Sequence, residues 1–101
     1  MRVLWTDLAL ERLEETAHYI ALDDSDAALR WVEELFESVG RLAAFPESGR
    51  LVPELEGRGV RELIFGAYRV FYRVGPDVVL VLTVRHASQL IREDELAERR
   101  T

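Results

Sequence analysis

Residues 59–86 read GVRELIFGAYRVFYRVGPDVVLVLTVRH. The segment divides into three strands, 60–65, 68–74 and 78–85. Gly66-Ala67 forms a two-residue hairpin loop with glycine first, the position that needs φ > 0. Gly75-Pro76-Asp77 marks a second turn, because proline cannot donate to the ladder of a central strand. With Gly66-Ala67 as the loop, Phe65 pairs with Tyr68, Leu63 with Val70 and Arg61 with Tyr72. That face is mostly apolar and needs a core. The opposite face carries Glu62, Ile64, Arg69, Phe71 and Arg73, and is expected to stay open to solvent or to a partner. A three-residue second loop pairs Val74 with Val78. Leu80, Leu82, Val84 and His86 then fall on the core side, with His86 pointing away from Arg69.

The chain before this segment supplies the cover. Residues 2–5 form a short apolar strand, and Thr6 or Asp7 caps a helix after it. Leu10, Leu13, Ala17, Ile20 and Ala21 follow helical spacing, with Glu11, Glu14 and Glu15 on the other side. Asp23-Asp24-Ser25-Asp26 is a polar break in which Asp24 or Ser25 caps the next helix. Ala28, Trp31, Val32, Leu35, Phe36, Val39, Leu42 and Ala43 make its continuous apolar stripe. Pro46 ends it and restricts Phe45. Two helices joined by so few residues form an antiparallel hairpin. Residues 47–58, rich in Gly, Ser and Pro, make a loop with room for one short turn. The order is β-α-α-β-β-β. It predicts an α+β domain in which a helical hairpin packs on one face of a small, mainly antiparallel sheet. Residues 1–91 form that domain, and 92–101 a charged C-terminal tail or short helix.

The chain has 101 residues, enough for one core, with 49% apolar residues and no cysteine. The absence of cysteine excludes a disulfide framework and a thiolate metal site. The N-terminal segment is charged too early for a signal peptide, and the longest apolar run is too short to span a bilayer. A cytoplasmic protein without membrane contact is expected. The net charge of −6 is uneven. Residues 1–45 hold four Arg against ten Asp and Glu, whereas residues 56–91 hold five Arg against three. An acidic chain of this kind does not hold nucleic acid by bulk electrostatics.

An ordered set of residues carries a resemblance. It comprises a strand ending in Trp5, His18-Tyr19-Ile20, Ala27-Ala28 with Trp31, and Leu42 with Pro46 and Gly49-Arg50. Arg61-Glu62-Leu63, Tyr68-Arg69-Val70, Tyr72-Arg73-Val74 and a last strand ending in His86 complete it. The set resembles the RelE/ParE superfamily, toxin components of type II toxin–antitoxin modules, and its ParE or plasmid-stabilisation branch most closely. The resemblance implies a cognate antitoxin as partner and no cofactor. ParE-like members inhibit DNA gyrase, whereas RelE-like members enter the ribosome and cleave mRNA. The first reading is a ParE-like gyrase inhibitor, a binding protein rather than an enzyme. The alternatives are a RelE-like, metal-independent mRNA endonuclease and a non-toxic member that only binds an antitoxin-like regulator. Fold alone does not choose.

Metal-free RNA cleavage needs a base for the 2′-hydroxyl, a cation on the phosphate and an acid for the leaving oxygen. Glu54, Arg69 and His86 are the candidates, and some nuclease members carry a Glu, an Arg and a terminal His at roughly these places. Each has a plainer reading. Glu54 is a solvated loop carboxylate, Arg69 pairs with Glu62 or an antitoxin acid, and His86 lies on the core side. Arg61, Arg69, Phe71 and Arg73 are the candidates for antitoxin or target binding, as guanidiniums beside an exposed ring. Only two histidines are present and no carboxylate sits at ligand spacing from either, so no metal site is expected. Tyr19, Tyr68 and Tyr72 are possible proton donors in principle, but Trp5, Trp31, Tyr68 and Tyr72 read as core or half-buried aromatics.

Overall fold

A computed structural model of the chain describes residues 1–98. Strand β1 spans Arg2–Trp5, helix α1 Asp7–Ala21 and helix α2 Ser25–Gly40. Strands β2 (Arg50–Leu51), β3 (Val60–Phe65), β4 (Tyr68–Val74) and β5 (Val78–His86) follow. They form one mixed sheet in the order β1-β5-β4-β3-β2, with β1 parallel to β5 and the other pairs antiparallel. Both helices pack on one face of it, as the α+β reading requires. Short 3₁₀ turns at Arg41–Ala43, Pro53–Leu55 and Glu93–Leu96 complete the chain. Strand β2, too short to stand out in sequence, extends the sheet beyond the three-strand segment.

Local chemistry explains the helix boundaries. The Thr6 hydroxyl accepts from Ala9 N–H and donates to Leu82 O, so one side chain caps α1 and ties it to β5. Asp24 Oδ1 accepts from the amides of Asp26 and Ala27 at the start of α2. From α2 and the turn after it, Leu35, Val39 and Leu42 are buried against Val70, Tyr72, Val79 and Val81. Helix α1 is turned slightly from the predicted face. Ala9 and Leu13 are buried, whereas Leu10 is exposed. The small Ala9 lets the helix approach the sheet closely, and a size-blind apolar count passes over it.

The β3–β4 register is the predicted one, with Gly66 at φ 56° in the loop. The β4–β5 register is not. Val74 pairs with Val79 rather than Val78, because Gly75 N–H already closes the turn on Val78 O at 2.7 Å. A second offset lies between Phe71 and Tyr72, where the register steps from Val81 to Thr83 and leaves Leu82 unpaired. Such a bulge changes which face successive residues meet. The one-residue shift at the turn puts Leu80 opposite Arg73, so Leu80 and Leu82 point away from the helices, into a second cluster with Val52, Val60, Phe71 and Leu96. After the bulge, Val84 and His86 return to the helix side opposite Val70 and Tyr68.

The second face is accordingly not open. The 52–55 segment and residues 91–96 lie over it, and Phe71 is 0% exposed. Phe71 is a core residue and cannot offer an exposed ring to a partner, because Val52, Leu80 and Leu96 enclose it. Of the predicted tail, residues 92–98 are docked by the turn at Glu93–Leu96, and residues 99–101 lie outside the described residues.

Candidate functional site

Strand alternation places Arg69 of β4 beside Glu62 of β3 on the covered face. Their Cα partners are offset by two, since Glu62 pairs with Phe71 and Arg69 with Ile64. Arg69 reaches diagonally across, donating from Nε to Glu62 Oε2 at 3.0 Å and closely from Nη2 to the same oxygen. The guanidinium also lies 4.7 Å from the centroid of the Phe71 ring. Its outer edge meets Glu54, which the Pro53–Leu55 turn holds over it, at 3.0 and 3.4 Å. Arg50 Nε on β2 donates to the remaining Glu62 oxygen at 2.9 Å. Glu62 is 1% exposed and Arg69 8%. Two carboxylates and two guanidiniums thus alternate across four elements, with the buried charges paired as such burial demands.

The titration of these groups follows from the contacts. Hydrogen bonds from Arg69 hold the Glu54 carboxyl below its ordinary value of 4.5, against a smaller opposing effect of burial. Burial works against the Arg69 cation, but Glu54 and Glu62 outweigh it and raise its pKa. Glu54 is therefore an anion locked to an arginine. A general base needs a pKa near the working pH, and this environment drives Glu54 the other way.

Tyr68 and His86 are Cα partners on the helix side of the sheet, and their rings meet edge-on at 5.5 Å. His86 lines a pocket of about 220 Å³ with Tyr19, Arg12, Arg85 and Tyr68. Its Nδ1 lies 2.7 Å from Ser88 Oγ. The structure therefore brings Glu54 and Arg69 together and leaves His86 on the opposite face. The other predicted arginines are also engaged. Arg61 donates to the carbonyls of Glu47 and Gly49, at 3.3 and 2.8 Å, and Arg73 to Glu98 at 3.0 Å. Tyr72 Oη accepts from Gly49 N–H at 2.9 Å, and burial raises the phenol's pKa. Tyr19 is exposed at the helix surface, and Trp31 packs edge-on against Phe65 and Tyr68. Among the described residues, no three His, Asp or Glu side chains gather as a metal site would require.

A second ionic cluster escaped the sequence reading. Glu95, 2% exposed, accepts from Arg85 at 2.6–2.9 Å, from the Thr83 hydroxyl at 3.0 Å and from Arg92 N–H at 3.1 Å. Burial alone would raise the Glu95 pKa, but the bonds from Arg85, the Arg92 amide and Thr83 outweigh it and hold it below 4.5. The available signal was the acidic run 93–95 set against a strand half rich in arginine.

Comparison with known proteins agrees with this architecture. The family model described as the ParE toxin of the type II toxin–antitoxin system parDE matches residues 3–91. The candidate toxin Y4kP of Sinorhizobium fredii is 44% identical over 92 residues, covering 87% of this chain and 90% of that protein. Among solved structures, the chromosomal ParDE toxin–antitoxin system of P. aeruginosa superposes with a TM-score of 0.72 at 27% identity. That match covers 85% of this chain and 95% of the other. The RelBE2 toxin–antitoxin complex of Mycobacterium tuberculosis gives a TM-score of 0.57, also at 27% identity, over 84% and 95%.

Proposed function

The chain belongs to the ParE toxin family of type II toxin–antitoxin systems, and from that premise we propose that it inhibits DNA gyrase by binding and is neutralised by a cognate antitoxin. The observation that carries the choice of target is the placement of the three candidate catalytic groups. Arg69 spends its donors on Glu62 and Glu54, and His86 sits across the sheet from both. A phosphate approaching Arg69 would have to displace Glu54, and no imidazole stands on that side to protonate the leaving oxygen. The RelE-like reading retains only the Glu54–Arg69 contact. The better superposition on the ParDE protein than on RelBE2, at equal identity, favours the same side. A gyrase target and an antitoxin partner support a cytoplasmic location as part of this reading; among the described residues no helix is long and apolar enough to cross a membrane.

Two assays on the purified protein decide the target. Gyrase supercoiling is expected to fall, or trapped DNA breaks to appear, while mRNA in a translating extract stays intact. Cleavage at ribosomal A sites with supercoiling unaffected would reverse the assignment. No effect in either assay, and none on growth, would leave a non-toxic antitoxin binder.

A further inference from the structure

Strand β1 pairs only with Val78–Val81 of β5, so β5 runs on past its neighbour to His86. Helix α1 lies alongside that bare edge, and between the two opens the pocket of about 220 Å³ that His86 lines. Inhibition by binding makes no use of it. Its lining is rich in donors. Arg85 shares the covered face with Arg69, yet lines the pocket as well because no strand closes this edge. It gives Nε and Nη2 to Glu95 and keeps Nη1. Arg12 gives Nη1 to Glu15, while its buried Nε has no acceptor among the described residues, with Glu95 3.8 Å away. Ser88 N–H donates to His86 Nδ1 at 3.2 Å, so in the neutral ring the proton sits on Nε2. Gln89 accepts from His86 N–H through Oε1, which leaves its amino group as a donor. The Tyr68 hydroxyl has no partner among the described residues. Against these donors the lining carries one carboxylate, Glu15, whose side chain is 57% exposed.

We propose that this pocket binds a small phosphate monoester, with the phosphate on Arg12, Arg85 and the Tyr68 hydroxyl and the organic group against the edge-on pair of Tyr68 and His86. A phosphate brings three acceptor oxygens and a charge of about −1.5 to −2 at neutral pH. That matches donors arriving from a helix, two strands and the turn after β5. A carboxylate has two oxygens and would leave part of the set unpaired. Glu15 yields its place readily, because an exposed ion pair is worth little. A dianion is the stronger acceptor for the Arg12 fork. The surroundings select a small ligand over a nucleic-acid strand. Helix α1 also exposes Glu11 and Glu14, and the chain carries a net charge of −6, so a strand gains at one phosphate and is repelled at the next.

The test titrates the isotope-labelled full-length chain with phenyl phosphate and follows its amide resonances. Shifts should be confined to residues 12–19, 68 and 84–89, which line the pocket or lie between its lining residues. Phenol should produce none, and inorganic phosphate should need about ten-fold more ligand for the same shifts, having no ring to bury. Arg12→Gln should weaken phenyl phosphate binding about ten-fold, as a charge-assisted contact is lost. Tyr68→Phe, which keeps the ring packed on Trp31, should weaken it about three-fold through the hydroxyl alone. If Arg12→Gln does not fold, Tyr68→Phe decides. No shifts up to about 10 mM ligand, shifts centred elsewhere, an equal response to phenol, or unchanged affinity in the folded variants overturns the proposal. Tighter binding of a terminally phosphorylated oligonucleotide than of phenyl phosphate overturns it too, by making the site one for nucleic acid. The assay contains neither gyrase nor antitoxin, so its outcome is independent of the toxin reading.

Discussion

Arg69 is a candidate phosphate or partner contact, and its pairing with Glu62 and Glu54 also gives it a structural role. Removing one member of a buried pair strands the other charge, at about 3–5 kcal/mol. Arg69→Ala should therefore destabilise the fold on that scale in urea unfolding, since Glu62 would keep only Arg50. A loss of toxicity in this variant would then report unfolding rather than a missing contact. Tyr72→Phe removes the acceptor of Gly49 N–H and should cost about 1–3 kcal/mol as a buried donor goes unpaired. Gly49 tolerates no side chain for a related reason. A Cβ there would lie 2.5 Å from both Glu62 O and Tyr72 Oη. Gly49→Ala should destabilise more than Tyr72→Phe, and equal melting temperatures would show that the 47–50 loop yields.

Among the elements, α2 carries the core and β5 divides it. Leu35 is fully buried, so Leu35→Ala should cost about 2–5 kcal/mol. Asp24→Ala should cost about 0.5–2 kcal/mol through the lost cap alone. The ratio of the two, measured by chemical denaturation, tests whether α2 is held by packing rather than by propensity. The bulge has a separate consequence. Ordinary alternation sends Leu80 and Leu82 to one face of the sheet and Val79 and Val81 to the other, and the bulge returns Val84 to the Val79–Val81 side, so a strand that reads as one apolar run serves two clusters. Leu82→Ala should loosen the cover over Phe71 and speed hydrogen exchange in residues 92–97, leaving α2 protected. Uniform acceleration across both faces would mean that the clusters unfold as one.

For the molecule as a whole, the acidic half covers one face with helices, and ion pairs fasten the C-terminal segment over the other. Glu54 and Glu95 both have folded pKa values below 4.5. Their stabilisation is therefore complete above the unfolded value and is lost as pH falls through the lower folded values. Glu54 is partly exposed and contributes little. Buried Glu95 contributes more, facing Arg85, Thr83 and the Arg92 amide, with Arg12 Nε at 3.8 Å. Below about pH 4.5 the docked segment should be released before the helices melt, seen as faster exchange in residues 92–97 with helical circular dichroism retained. Simultaneous loss of both signals would contradict a separately held segment. The gyrase reading makes a further prediction. Growth inhibition should survive in Glu54→Ala and His86→Ala, because neither group transfers a proton in that mechanism. Loss of toxicity in both, with folding intact, would favour the nuclease.

The sequence by itself determined the longer elements, their order and the β3–β4 register, because each rests on local chemistry, while the two-residue β2 was not legible. Thr6 and Asp24 cap, Pro46 stops, Gly66 turns, and the α2 stripe repeats at helical spacing over sixteen residues. It also supplied the pairing of Arg69 with Glu62, since two opposite charges on one face of a tight hairpin lie within reach. Tertiary structure decided which way Leu80 and Leu82 face, between the turn and the bulge. A single unpaired residue inverts the alternation, and its position depends on how β5 meets β4 and the Thr6 cap, not on β5's own composition. It also decided that the arginine face is covered. Glu93, Glu95 and Glu98 are distant in sequence from Arg58 and Arg73, and nothing local marks them as partners. Whether a charged run is solvated or docked is a property of the surface it meets, and only the folded sheet, with Phe71, Leu80 and Leu82 gathered between arginines, presents that surface.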